Sequence, residues 1–169
     1  MRFSWNDKSA AIAVTVIFIF SSHAAAQESY APWPEPDSGY VTDKAEVLSE
    51  SEEERLEQWL IRVEENAGVE IIVVTLHSFH GYPGADDSSI EAFATGLFDR
   101  WGIGNLPRND GILLLVAIMD RKVRIELGRG YGDVRNDDAE RIIREEILPS
   151  FRKRRYGEGI TRGTRAIIN

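Results

Sequence analysis

The chain has 169 residues, 28 acidic against 20 basic side chains for a formal net charge of −8, and no cysteine. So acidic a balance argues against nucleic-acid binding through bulk charge. The lack of cysteine excludes disulfides, thiolate zinc sites and a cysteine nucleophile together.

Residues 1–26 read as a targeting segment. Arg2 and Lys8 give a positive start, weakened by Asp7, Ala10 to Phe20 is an apolar run, and Ala24-Ala25-Ala26 supplies a cleavage site before Gln27. The run is too short for an ordinary spanning helix. The reading is therefore a cleaved signal peptide and an exported protein, periplasmic or secreted, with an N-terminal membrane anchor as the alternative. The mature chain would hold no transmembrane helix and is long enough for one domain with a real core. Residues 27–39, with Pro32, Pro34 and Pro36, read as an extended leader. Tyr30 and Trp33 within it are either partner contacts or merely sticky linker aromatics.

Tyr40 to Leu48 is a short mixed segment suited to a sheet edge. Ser49 caps a helix, with Glu52 completing a capping box. Glu50, Glu52, Glu53 and Glu54 load the first turn, where the helix dipole favours negative charge, so a solvated face outweighs a metal cluster. Leu56, Trp59, Leu60, Val63 and Ala67 form an apolar stripe and Gly68 ends it. Val69 to Leu76 is a core strand. The polar loop after it holds His77 and His80, which read as surface polarity rather than metal ligands. Ser88 and Glu91 form a second capping box before the stripe Ile90, Phe93, Ala94, Leu97, Phe98 and Trp101, closed by Gly102. Strand, helix, strand predicts a right-handed crossover and parallel pairing.

The stretch Asn109 to Gly132 organises the rest. Ile112 to Met119 fits a strand buried on both faces. After Asp120-Arg121, Lys122 to Leu127 alternates polar and apolar, as a half-buried strand does. So short a connection predicts an antiparallel hairpin. Pairing Met119 with Lys122 sets Leu115 opposite Glu126 and Gly111 opposite Gly130, which brings Asp110 beside Gly128-Arg129-Gly130-Tyr131-Gly132. Asn136 then caps a third helix with the stripe Ala139, Ile142, Ile143 and Ile147, stopped by Pro149. Phe151 to Tyr156 is a short basic turn or helix, and Gly157 to Asn169 a last helix. Arg152-Lys153-Arg154-Arg155, with Arg162 and Arg165, reads as a solvated face, with anionic headgroups or an acidic partner as the sharper alternative. The whole is one α/β domain, a small mixed sheet packed by helices.

Hard cations such as Ca²⁺ take oxygen ligands from carboxylates, carbonyls and water. Asp110, Asp133 and carbonyls freed by the glycines are candidates for such a site. The plainer alternative is that Asp110 caps a turn and Asp133 flanks one. Gly128, Arg129 and Gly130 are candidate ligand contacts, with Arg129 placed to clamp a phosphate. A dinucleotide-type glycine pattern fails at Asp133 and follows a hairpin strand, so nucleotide binding is not expected.

Five segments in order resemble the TPM domain family. Tyr40 to Ser49 is similar to its opening motif V-N-D-x-A-x-x-L-S, with Thr42 where asparagine is usual. Trp101-Gly102-Ile103-Gly104 resembles W-G-I-G, and Asn109 to Leu115 its N/D-G-x-L-L-L strand. Val123 to Gly130 resembles R-I-E-x-G-x-G, and Ile147 to Phe151 with Tyr156 to Ile160 its I-x-P-x-F…Y-x-x-G-I tail. The resemblance covers Tyr40 to Asn169. It implies a three-layer α/β/α sandwich, exported or held at a membrane, in a family of thylakoid-lumen, receptor-associated and bacterial envelope proteins. Some members are credited with calcium binding and some with acid phosphatase activity. Asp43 resembles the family's acidic position, expected near the same end as Asp110, and joins Asp110 and Asp133 as a candidate metal ligand. The expected function is a Ca²⁺-binding interaction or assembly module of the cell envelope, with Mg²⁺ or Mn²⁺ as alternative cations and an envelope or membrane protein as partner. The alternative is a weak metal-dependent acid phosphatase on phosphate monoesters, with Asp43 or Asp110 as base, although D-x-D-x-T/V, R-H-G and C-x₅-R signatures are absent.

Overall fold

Two runs of aliphatic and β-branched side chains, Ile71–Leu76 (β2) and Ile112–Ala117 (β3), are buried at every position. They form the centre of a four-stranded sheet in a computed structural model that describes residues 33–83, 89–132 and 135–169. The candidate signal peptide, Tyr30, Ser88 and Asp133 lie outside the described residues. Val41–Asp43 (β1) pairs parallel with β2, β2 parallel with β3, and Lys122–Leu127 (β4) antiparallel with β3. Alternate side chains go to opposite faces, and an unbroken apolar run is stable only where both faces are covered.

Both are. Ile90–Trp101 (α2) lies on one face, where Phe93, Ala94 and Leu97 meet Ile72, Val74, Leu113 and Leu115. The other face carries Glu50–Ala67 (α1), Asn136–Ile142 (α3) and, past a widened turn at Ile143–Ile147, the short Leu148–Phe151 (α4) and Tyr156–Ile168 (α5). There Leu56, Leu60, Ala139, Ile147 and Ile160 pack on Ile71, Val73, Leu114, Val116 and Ile125. The domain is thus a three-layer α/β/α sandwich. Its strands run in sequential order with α1 and α2 on opposite faces, so the two parallel crossovers have opposite hands, and only one obeys the right-handed preference.

Local chemistry sets the helix ends. The Glu52 carboxylate accepts from the Ser49 amide at 2.9 Å, and Gly68 takes the left-handed conformation that ends α1. The cap of α2 is Ser89, whose hydroxyl accepts from the Ala92 amide, one residue later than the Ser88 box predicts. Pro149 does not stop the third helix. The wide turn ahead of it, in which the Leu148 amide reaches the Ile143 carbonyl, carries the chain past the missing proline N–H into α4.

The hairpin register differs from the sequence expectation by two residues. Ala117, not Met119, pairs with Lys122, and Leu113 faces Glu126. The connection is a four-residue turn, Ile118 to Arg121, with Arg121 in the left-handed region and Met119 74% exposed. A shift of two keeps every side chain on its face, which is why the alternation in β4 fits either register. The leader from Trp33 onward also packs. The Trp33 ring sits 5.0 Å from that of Phe93, and Trp101 donates its indole N–H to the Pro34 carbonyl at 3.0 Å.

Candidate functional site

Two ends of the sheet hold the candidate residues. At the lower end, where β2 and β3 begin, the amides of Gly128 and Gly130 donate to the carbonyls of Gly111 and Asn109, each at 2.9 Å, and so prolong the β3–β4 ladder. Gly111 therefore faces Gly128 and not Gly130. A Cβ on Gly128 would collide with the Asn109 carbonyl and one on Gly130 with that of Arg108. These glycines are set by close backbone approach, not by a need to free carbonyls for a ligand. The carbonyls of Gly128 and Arg129 are themselves spent on the tight turn Arg129–Tyr131. The glycines and Arg129 do lie beside Asp110, as the sequence indicates.

Asp110 is half-buried. Its Oδ2 meets Arg108 Nε at 2.9 Å, and Arg108 also donates to the Gly68 carbonyl at 2.7 Å, tying the rim to the end of α1. Tyr131 donates its hydroxyl to the Asp110 carbonyl at 2.9 Å, and burial, then the Asp110 charge, pushes the Tyr131 phenol up. Asp110 Oδ1 is buried and accepts no hydrogen bond. An orphaned carboxylate oxygen is costly in a fold and suits a hard cation. Against this, Arg108 occupies the other oxygen, and among the described residues no group of three or more His, Asp or Glu side chains is placed to hold a metal. The donors present fit a cation at one oxygen, with water and neighbouring groups left to supply the rest.

The segment Trp101 to Gly104 completes this rim. Gly102 and Gly104 have positive φ, Ile103 is buried, and Gly104 stacks against the backbone of Gly111. The Gly104 amide donates to the Glu70 carboxylate at 2.6 Å, and burial raises the Glu70 carboxyl despite that bond. Arg108 and Glu70 are rim residues that sequence reasoning missed. The one available signal was Arg108 standing two positions before Asp110.

Asp43 is elsewhere. Register places it level with Thr75 and Val116, near the upper end of the sheet where the parallel strands finish. At ~3.3 Å per residue, roughly 20 Å of strand separates that level from Asp110. The expectation that Asp43 and Asp110 share one end is therefore corrected, because parallel pairing carries β1 upward past the start of β3. Asp43 accepts from the Thr75 hydroxyl at one oxygen and from the Leu48 amide at 2.8 Å at the other, closing the turn that leads to α1. Glu53 lies close by. Partial burial, then the charges of Asp43 and Asp37, raises its carboxyl above the ordinary value. His77 is exposed, and His80 stacks on the Phe79 ring at 4.0 Å, so neither joins an acidic group. Glu126 pairs with Arg124 at 2.8 Å and accepts from Thr95 of α2.

The layers, the strand order and the glycine-packed rim define a small α/β/α sandwich domain with no helix among the described residues long and apolar enough to cross a membrane. The chain belongs to the TPM domain family, whose model matches residues 41–169. It is similar to the N-terminal domain of a protein from P. gingivalis, with 35% identity over 76% of this chain and 79% of that one and a TM-score of 0.65. The N-terminal domain of the cg2496 protein from Corynebacterium glutamicum shares the fold at 18% identity, 80% and 81% coverage and a TM-score of 0.58. The BA42 protein from the psychrophilic bacterium Bizionia argentinensis does so at 23% identity, 72% and 79% coverage and a TM-score of 0.58. No curated protein matches the chain.

Proposed function

We propose that the protein is an exported interaction or assembly module of the cell envelope whose lower rim takes a divalent cation, Ca²⁺ before Mg²⁺ or Mn²⁺. The observation that carries the cation is the buried, unpartnered Oδ1 of Asp110 beside the Gly128–Gly132 turn. Asp133 follows that turn in sequence and would be the second carboxylate. Export rests on the sequence of residues 1–26, and the partner is an envelope or membrane protein. A bound cation would fix the rim's backbone and present it to that partner. The phosphatase alternative has no geometric observation in its favour, since its two candidate carboxylates, Asp43 and Asp110, lie at opposite ends of the sheet.

The test is a thermal melt of chelated protein with and without millimolar Ca²⁺, Mg²⁺ and Mn²⁺. Whatever binds only the folded state raises Tm by mass action. A rise with Ca²⁺ that Asp110→Ala removes is the expected result. A rise that survives in Asp110→Ala moves the site away from this rim, and no rise with any cation overturns the proposal.

A further inference from the structure

The upper end holds a cleft that none of the preceding chemistry uses. It encloses about 740 Å³ between the β3–β4 turn and the link from α4 to α5. Ile118, Val123, Leu148, Phe151 and Tyr156 form its apolar wall, and Phe151 and Tyr156 meet edge to face with centroids 5.2 Å apart. Met119 stands exposed at the lip. Arg121, Arg152 and Arg154 complete the lining, and no acidic side chain contributes to it.

The charge pattern is unusual for this chain. Acidic residues outnumber basic ones 28 to 20, yet these three arginines line one cleft and, among the described residues, have no carboxylate partner, while Arg155 beside them pairs with Glu158 at 3.0 Å. Asp120, the acid nearest in sequence, is turned away, accepting from the Ser78 hydroxyl and the Phe79 amide, each at 2.9 Å. Two of the three arginines, Arg121 and Arg154, sit at φ 54° and 56°. Glycine or asparagine adopts such backbone more cheaply, so arginine there carries a local conformational cost. Bringing like charges together around an apolar wall also opposes folding, and an anion relieves it.

We propose that this cleft binds a free amphiphilic anion, a single phosphate or carboxylate group carrying an alkyl or aromatic tail, with the arginines on the anionic head and the Ile118, Leu148, Phe151 and Tyr156 wall on the tail. The site is concave and of the size that holds one small molecule. A bilayer surface would instead call for a protruding apolar face. The site is separate from the cation rim, and either can hold without the other.

The probe is decyl phosphate below its micelle concentration, titrated into the purified protein and followed by calorimetry and by amide chemical shifts. Saturable binding of one molecule is expected, with shifts confined to residues 116–123 and 148–156. Arg121→Gln/Arg152→Gln/Arg154→Gln should weaken binding by about tenfold or more without lowering Tm, because the three side chains are exposed, make no ion pair and carry like charge. Inorganic phosphate and decyltrimethylammonium should not bind. Equal binding of the cationic amphiphile, or unchanged affinity in the triple variant, overturns the proposal. So does binding to vesicles of phosphatidylcholine and phosphatidylglycerol without binding of dispersed decyl phosphate, which would make the end a membrane contact.

Discussion

At the lower end of the sheet an arginine is consumed by structure: Arg108 holds the Asp110 carboxylate and the carbonyl that ends α1. At the upper end Arg121, Arg152 and Arg154 face a cleft and hold nothing. The lower end is where three chain segments cross within backbone contact, namely the Gly104 loop, the start of β3 and the Gly128 turn, and where the side chains of Asn105 and Arg108 tie them to the end of α1. Dense crossing leaves many backbone groups to satisfy, and charge is recruited to satisfy them. The upper end is a turn and a helix link with few such demands, so its side chains are released for a ligand. Three of the five family-motif segments, Trp101–Gly104, the Asn109–Gly111 lead into β3 and the Gly128–Gly130 turn after β4, meet at the lower end, and there they encode packing more than chemistry.

That contrast breaks most visibly at Gly130. An added methyl group there has backbone on its far side and nowhere to go. Gly130→Ala should cost about 3 kcal/mol, within the range for overpacking against an unyielding neighbour, and reduce the urea midpoint without changing the slope. A loss under about 0.5 kcal/mol would mean that the rim can shift, and the reading of its glycines as spacers would fail.

A matched pair of arginine variants sharpens the comparison. Arg108→Ala leaves the half-buried Asp110 carboxylate without its donor and the Gly68 carbonyl with only the longer bond from Asn105 Nδ2, and should destabilise by about 1–2 kcal/mol at neutral pH. Arg154→Ala removes no hydrogen bond or ion pair and should change stability by less than about 0.5 kcal/mol in either direction. Equal losses at the two positions would show that the upper arginines have structural partners after all.

Much of this architecture can be read from the residues. Unbroken apolar runs require two covered faces, and the 3.6-residue stripes at Leu56–Val63 and Ile90–Leu97 place helices to cover them. The hairpin's alternation fixes which side chains go inward. What it cannot fix is turn length: Met119 is apolar enough for a strand, and only the left-handed Arg121 and the exposed Met119 reveal the four-residue turn. The same two-residue shift decides which glycine faces Gly111. Asp43 is misplaced for a different reason, since its level depends on parallel registers that span more than thirty residues of intervening chain and leave no local trace. The arginine cleft combines a turn at 118–121 with a link at 152–155. Sequence shows the basic run, and only the antiparallel return of β4 and the path of α4 bring Arg121 to it.

The smallest expected effect belongs to the upper carboxylates, and it bears on where a cation would sit. Partial burial first, then the charges of Asp43 and Asp37, holds the Glu53 carboxyl above its ordinary 4.5. Between 4.5 and that raised value the folded chain carries more proton at Glu53 than the unfolded chain, so stability falls as pH rises through this window. Glu53→Gln removes the cost. Relative to the parent protein, the stability of the variant should be unchanged near pH 4 and slightly higher at pH 7, by on the order of a few tenths of a kcal/mol once solvent screening is allowed for, read as a small rise in Tm at pH 7 alone. Ca²⁺ then separates the two ends. If it stabilises the parent and the Glu53→Gln variant equally, the upper acids take no part and the lower rim keeps its assignment. If it stabilises the parent more, the repulsion between Glu53 and Asp43 is what the cation relieves, and the site belongs at the upper end instead.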